Sequence, residues 1–355
     1  MSASVILLIC IPAFVAYVAG MLAAPFLLDA MHHFKLWKKI KRSDMDTNPT
    51  IEEAFTQVHN AQCEVVTPRI GGLVITIGLF VSTLVLWIVA KTHDGMIIGM
   101  LDIISRSQTW ILFATFAGCA IIGFVEELTV IFPGRMPLCP VHGLSRRMLI
   151  GIMSCISLVL AWWFFVKLGM HAIKVPFFGI WELGGAFIIV FFITLLGTFS
   201  SRVIDGIDGL SGGVLAIAYI AYAIIAVANH QYHIAAFSGA VATATFAFLW
   251  YNVPPAKWYM GEVGMLPLTV CLALIAFLTD SVLELAIIAL PLTVTALSSA
   301  IQIVSKKVFK KKVFSVAPLH HALQARGWDD ATIVMRYWIV AVISAICGVI
   351  IALVG

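Results

Sequence analysis

The chain has 355 residues, 61% of them hydrophobic and only 11% charged, with a formal net charge of +4. Soluble domains carry roughly 25% charged residues, so a string of soluble domains is excluded, and no nucleic-acid partner is expected. At about 20 apolar residues per span, this length holds around ten helices and their connectors in one membrane domain over residues 1–355.

The first apolar segment, Ser4 to Leu28, is too long for a signal peptide and lacks a basic start, so it is expected to stay as a helix. In chain order, apolar runs predict spans near 4–29, 71–90, 108–125, 148–168, 184–200, 212–228, 234–251, 264–279, 283–304 and 333–354. The connectors alternate in charge. One set carries 18 of the 22 Lys and Arg: Lys35, Lys38, Lys39, Lys41, Arg42, Arg69, Arg135, Arg146, Arg147, Arg202, Lys257, Lys306, Lys307, Lys310, Lys311, Lys312, Arg326 and Arg336. The other carries Lys91, Arg106, Lys167 and Lys174. Basic residues collect on the cytoplasmic side, so the first set is read as cytoplasmic and both termini as non-cytoplasmic. The expected fold is an all-α polytopic membrane protein of about ten transmembrane helices.

Two connectors carry further signals. The outer one, 169–183, holds Phe177, Phe178 and Trp181 and is expected to lie at the lipid–water interface. The inner stretch Lys306–Phe314 mixes five lysines with apolar residues; it is either an amphipathic surface segment or simply an anchor. The seven cysteines are scattered without a CxxC pair, which argues against disulfides and zinc.

Five carboxylates stand at the ends of apolar runs on the inner face: Glu126, Glu127, Asp205, Asp208 and Glu262. Charges near hydrocarbon persist with a partner, a metal or a task. Glu126-Glu127 follow an apolar run, and adjacent carboxylates repel, so a shared proton, an arginine or a metal must relieve them; the nearest cations in sequence are Arg135, Arg146 and Arg147. A solvated helix end is the bland alternative. Asp205-Gly206-Ile207-Asp208-Gly209-Leu210-Ser211-Gly212-Gly213 offers glycine amides to a phosphate, and its aspartates share a face if the segment is helical. The alternative is a Gly-rich break with solvated acids. Met260-Gly261-Glu262-Val263-Gly264 places a carboxylate between glycines, open to a bulky anion. His320-His321, after Ala317-Pro318-Leu319, can bind phosphate, move protons or ligate metal, or can be surface residues. Together these groups suit phosphoryl transfer around a divalent ion such as Mg²⁺, with a lipid-borne and a soluble substrate meeting at the membrane face. A transporter is disfavoured, because transporters place charged sites near the bilayer midplane.

The motifs resemble, in order from about residue 60 to the C-terminus, those of the polyprenyl-phosphate N-acetylhexosamine-1-phosphate transferase superfamily. Within it they are most similar to the phospho-N-acetylmuramoyl-pentapeptide transferase family of bacterial peptidoglycan synthesis. Thr67-Pro68-Arg69-Ile70-Gly71-Gly72 resembles TPTMGG, and Gly143-Leu144-Ser145-Arg146-Arg147 resembles GLSxR. Asp205–Leu210 resembles DGLDGL, and Asn252–Gly264 resembles NxxPAxVFMGDVG. Val316–Trp328 with Arg336-Tyr337-Trp338 resembles MAPIHHHYExKGW and RFW.

The resemblance implies a ten-helix inner-membrane enzyme. It would transfer phospho-MurNAc-pentapeptide from UDP-MurNAc-pentapeptide to undecaprenyl phosphate with Mg²⁺, giving lipid I and UMP, with a homodimer left open. It implies Glu262 as metal ligand, Asp205 near metal, ribose and phosphates, Asp208 near the uracil and Tyr259 in place of a base-stacking Phe. Glu126 and Glu127 would occupy an Asp-Asp pair that acts on the lipid phosphate, and His320 and His321 would lie near the pyrophosphate or the sugar-peptide end. Thr67, Arg69, Arg202 and Asn252 fall in the substrate-binding motifs. The pattern departs at Glu126, Glu127 and Glu262 (Asp in the family), at Arg202 (Asn), Glu64 (Lys), Arg69 (Thr) and Ala322 (His). A related transferase using another UDP-sugar such as UDP-GlcNAc, or a lipid-phosphate-binding homologue, remains the alternative.

Overall fold

A computed structural model describes residues 3–37, 67–92, 107–132 and 145–355. Lys38, Lys39, Lys41, Arg42, Glu64, Arg106, Arg135, Gly143, Leu144 and the Arg146 side chain, which the sequence reading used, lie outside what it describes.

The described chain is helical apart from one hairpin. In order it forms α1 (Ala3–His33), α2 (Leu73–Thr92), α3 (Ser107–Ile131), α4 (Arg146–Val166), β1 (Ala172–Val175), β2 (Gly179–Glu182) and α5 (Ala186–Ser200). There follow α6 (Leu210–Ala228), α7 (Tyr232–Asn252), α8 (Glu262–Leu278), α9 (Leu285–Ile288), α10 (Leu290–Val308), α11 (Leu319–Gln324) and α12 (Asp330–Val354). Eight of these helices are long and apolar enough to cross a membrane, and the shorter α8 is equally apolar. The chain is an all-α polytopic membrane protein.

Every α8 residue after Glu262 is buried, so this helix forms the axis of the bundle. Helix α7 packs against α1 and α6 through small residues: Ala235, Ala236, Ala240, Ala242, Ala244 and Ala247 are buried, and Thr243 Oγ1 donates to the Ala13 carbonyl of α1 at 2.6 Å. Small side chains let membrane helices approach closely, where dispersion replaces the missing hydrophobic drive. On the other side, Phe191 of α5 stacks on Phe277 of α8 with centroids 4.6 Å apart, and Phe164 of α4 packs on Phe191 at 4.9 Å.

The outer connector is more ordered than its sequence suggests. β1 and β2 pair antiparallel, with Ile173 opposite Trp181, and the turn passes through Phe177 and Gly179 at positive φ. Phe177, Phe178 and Trp181 stay exposed. The basic stretch after α10 folds back on that helix. Gln302 accepts from the Val313 and Phe314 amides at 3.1 and 3.0 Å and donates to the Phe314 carbonyl at 2.8 Å. Lys306 and Lys307 thus end α10, and Lys310, Lys311 and Lys312 stand on a turn held by Gln302.

Long-range bonds divide the bundle into two ends. One end joins Leu36, Arg69, Glu127, Arg202, Gly209, Asn252, Glu262 and Trp338. The other joins Tyr222 to Ser281, Asn229 to Thr279, and Lys174 to Ala352.

Candidate active site

The carboxylates do converge, and they do so through arginines that lie far away in sequence. Helix α3 does not stop at the acidic pair; it runs on to Ile131, so Glu126 and Glu127 sit inside it. Neighbouring helical positions point in different directions, and the two side chains take different partners. Glu127 is 1% exposed; its Oε2 accepts from Arg69 Nε at 3.0 Å and its Oε1 from the Glu262 backbone amide at 2.9 Å. Both oxygens of a buried anion are thus matched by donors, which such burial requires. Glu126 Oε1 faces Arg202 Nη1 at 4.0 Å. Among the described residues the relieving cations are Arg69 and Arg202, which lie far from the pair in sequence; of the sequence neighbours, Arg135 and the Arg146 side chain lie outside the described residues.

Arg202 comes from the 3₁₀ turn Ser201–Ile204 that ends α5. Its guanidinium lies 4.6 Å from the Phe199 ring centroid and pairs with Glu262 Oε1. Glu262 is the first residue of α8, delivered by Gly261 at φ 64°, ψ 177°. These glycines do not leave space for a ligand, contrary to the sequence reading. A Cβ on Gly261 would meet the Arg69 carbonyl oxygen and Glu127 Oε1, and one on Gly123 would meet the Glu262 carbonyl. Their role is to let α3, the Arg69 segment and the start of α8 touch backbone to backbone.

The Arg69 segment is held in register by three bonds. Tyr259 N donates to Pro68 O at 2.8 Å, Gly71 N to Tyr259 O at 2.9 Å and Gly72 N to Met260 O at 3.0 Å. Half-buried Thr67 and Tyr259 are thereby brought beside Arg69.

Residues 205–209 form turns rather than a helix, and the two aspartates diverge. Asp205 Oδ1 accepts from Ser211 Oγ at 2.6 Å, while Asp208 Oδ2 accepts from the Ala256 amide at 3.0 Å. The Gly209 amide is already taken by Asn252 Oδ1 at 2.9 Å, and Asn252 Nδ2 donates to Trp258 O at 2.9 Å. Asn252 thus ties the 205–209 turns to the segment leading into Glu262. Trp338 Nε1 donates to Gly209 O at 3.2 Å, a support drawn from α12.

The histidines reach the same turns. A Cβ on Gly206 would lie 2.8 Å from His320 Nε2 and 2.9 Å from His321 Nε2. Their rings stand 4.2 Å apart; His320 is fully buried, and His321 Nδ1 lies 2.6 Å from Gln324 Oε1.

Sequence reasoning thus named the chemical groups but missed Ser211, Trp338 and Gly123 as supports. Ser211 and Trp338 lay within quoted motifs, yet nothing local revealed what they touch.

Among the described residues no group of three or more His, Cys, Asp or Glu side chains is arranged to hold a metal ion. The donor set nevertheless fits a hard cation. Glu126 Oε2 and Glu262 Oε2 are buried carboxylate oxygens that accept no hydrogen bond, and Arg202 is the cation now between those residues.

A model described as Glycosyl transferase family 4 matches residues 109–280. A phospho-N-acetylmuramoyl-pentapeptide-transferase of Bacillus cytotoxicus is 33% identical over 284 residues, covering 80% of this chain and 83% of that protein. Proteins of the same name from Bacillus thuringiensis and Bacillus mycoides are 34% identical over 290 residues, with the same shares covered. The chain belongs to the phospho-N-acetylmuramoyl-pentapeptide transferase family and is a phosphoglycosyl transferase.

Proposed function

We propose that the chain transfers phospho-MurNAc-pentapeptide from UDP-MurNAc-pentapeptide to undecaprenyl phosphate in the bacterial inner membrane, giving lipid I and UMP with Mg²⁺. One observation carries the reading: Arg69, Glu126, Glu127, Arg202 and Glu262, from four separate segments, close into one ionic network at an end of an apolar bundle. That end also gathers Lys257, Lys306, Lys307, Arg326 and Arg336, whereas Lys91, Lys167 and Lys174 mark the other. By the preference of basic residues for the inner side, it faces the cytoplasm, where a UDP-sugar is available, and both termini lie outside.

In the reaction a lipid-phosphate oxygen attacks the β-phosphorus of the nucleotide. The new P–O bond forms as the bond to the bridging oxygen breaks, and that electron pair leaves on UMP. Glu126 has an uncommitted carboxylate oxygen and is the group of the pair placed to orient or deprotonate the lipid phosphate. Glu127 is held by two donors and positions Arg69 and the start of α8. Arg69 and Arg202 supply cationic donors for phosphate oxygens, the bidentate recognition that guanidinium favours. By the resemblance, Asp205 is assigned to ribose and phosphates, Asp208 to the uracil and Tyr259 to the base, with Thr67 and Asn252 in the substrate-binding segments. The histidine pair is assigned to the pyrophosphate and sugar side of the same turns, with His321 as the ring that acts on substrate and fully buried His320 as its support. Glu262 would hold Mg²⁺, with Asp205 and the unpartnered oxygen of Glu126 as the neighbouring carboxylates, and the ion would supply charge neutralisation on the diphosphate.

The test is UMP release by purified protein given UDP-MurNAc-pentapeptide, undecaprenyl phosphate and Mg²⁺. Turnover with UDP-GlcNAc alone would assign a different sugar nucleotide. Binding of lipid phosphate without turnover under any divalent metal would leave a binding homologue in its place.

A further inference from the structure

We infer that Arg202 is the resident cation of this centre, that a divalent ion binds Glu126 and Glu262 only by displacing it, and that a nucleoside diphosphate draws it away. The inference rests on the proposed reading in taking Glu262 as a metal ligand and a nucleoside diphosphate as the ligand of this site. Arg202 Nη1 contacts Glu262 Oε1 and stands 4.0 Å from Glu126 Oε1, so one guanidinium bridges both carboxylates. Among the described residues Arg202 is the cation that pairs with both, whereas Arg69 is bound through Nε to Glu127.

The network holds three glutamates against two arginines, and the surplus appears as two buried, unpartnered oxygens, Glu126 Oε2 and Glu262 Oε2. A divalent ion would use such oxygens at about 2.0–2.1 Å for Mg²⁺. It would then sit within a few ångströms of a guanidinium on the same carboxylates, and like charges so close repel strongly. Metal and Arg202 therefore exclude each other there. A diphosphate offers Arg202 a better, bidentate acceptor. Its binding frees both carboxylates, so nucleotide and metal bind cooperatively, and the coupling is reciprocal. Ordered loading follows: the metal site is completed only once a diphosphate is in place.

The test is Mn²⁺ titration followed by electron paramagnetic resonance, on purified full-length protein without lipid substrate. The parent should bind Mn²⁺ weakly, and UDP should tighten it by at least about tenfold, within the 5–150-fold usual for coupled sites. Arg202→Met should tighten Mn²⁺ by a similar factor without UDP. Arg202→Lys, which keeps a charge, should bind as weakly as the parent, and adding Glu262→Gln to Arg202→Met should abolish the gain. Arg202→Gln serves if the Met variant melts early. Arg202→Met and Arg202→Gln binding Mn²⁺ no tighter than the parent overturns the inference, as does a parent affinity indifferent to UDP. Protein that shows this competition but releases no UMP counts against the transfer reaction and leaves the competition standing.

Discussion

Gly261→Ala is the sharpest single perturbation of the site. Gly261 sits at φ 64°, ψ 177°, a region essentially confined to glycine, and forcing alanine there costs about 1–3 kcal/mol. The added methyl would collide with the Arg69 carbonyl oxygen and lie 2.8 Å from Glu127 Oε1. A backbone oxygen cannot rotate aside, so the Arg69 segment must retreat by about 1 Å to reach ordinary contact. That retreat strains the Arg69–Glu127 pair and the Glu262 amide bond to Glu127 Oε1. Misplacement by 1 Å can cost about 10²-fold in rate, so kcat for UMP release should fall by about that factor. Gly118→Ala is the control: it lies on α3 with nothing within 4 Å of its added methyl, and alanine is the better helix former. The assay is single-turnover UMP release with both variants in the same bilayer mimic. A Gly261→Ala protein as fast as Gly118→Ala would refute the view that backbone contact at Gly261 sets the carboxylate geometry.

Asn252→Leu should leave the Gly209 amide and the Trp258 carbonyl unmatched, at about 1–3 kcal/mol each; it should lower the apparent melting temperature and raise KM for the UDP substrate. A double-mutant cycle of Arg69→Met and Glu127→Gln should give a coupling of about 1–2 kcal/mol, because Glu127 is buried but Arg69 is 28% exposed and partly screened. Simple additivity there would mean the pair is incidental. Chelation of divalent ions should abolish UMP release without lowering the melting temperature, since Arg202 already spans the empty carboxylates; a protein that unfolds on chelation would contradict that.

The helical membrane architecture was legible because hydrophobic runs of span length admit little else. Helix ends were not. The third run was read as ending at 125 because Glu126 and Glu127 look like the edge of the membrane, yet α3 continues to Ile131 since both acids find arginine partners. The hairpin at 172–182 escaped notice because four-residue strands are stabilised by the partner strand and not by their own pattern. The site was legible as motifs but not as pairings. Arg69 meets Glu127 58 positions away and Arg202 meets Glu262 60 positions away, pairings that proximity along the chain does not reveal. Glycine was the most misleading residue. In Gly261-Glu262 it suggested access for a ligand, but the space a side chain would fill is occupied by another stretch of this chain.

The histidine pair shows how adjacent, like residues acquire unlike duties. His320 is fully buried, with its Nε2 2.8 Å from where a Gly206 Cβ would stand, so its bulk holds the Asp205 turns from below. His321 is half-buried and leads outward through Gln324 Oε1 at 2.6 Å, while Gln324 Nε2 reaches Asp330 Oδ1 at 2.5 Å. That chain fixes the ring and leaves its Nε2 directed at the turn that carries Asp205. His320→Ala should therefore open a cavity, costing about 2–4 kcal/mol, and depress melting temperature and turnover together. His320→Leu, close in volume, should restore much of the melting temperature. His321→Ala should leave melting nearly unchanged and lower kcat by about 10²–10³-fold if its ring transfers a proton or binds the diphosphate. Measuring melting and turnover on all three separates support from chemistry. If His320→Leu stayed as unstable as His320→Ala, or His321→Ala lost stability instead of rate, the division of labour between the two rings would be reversed.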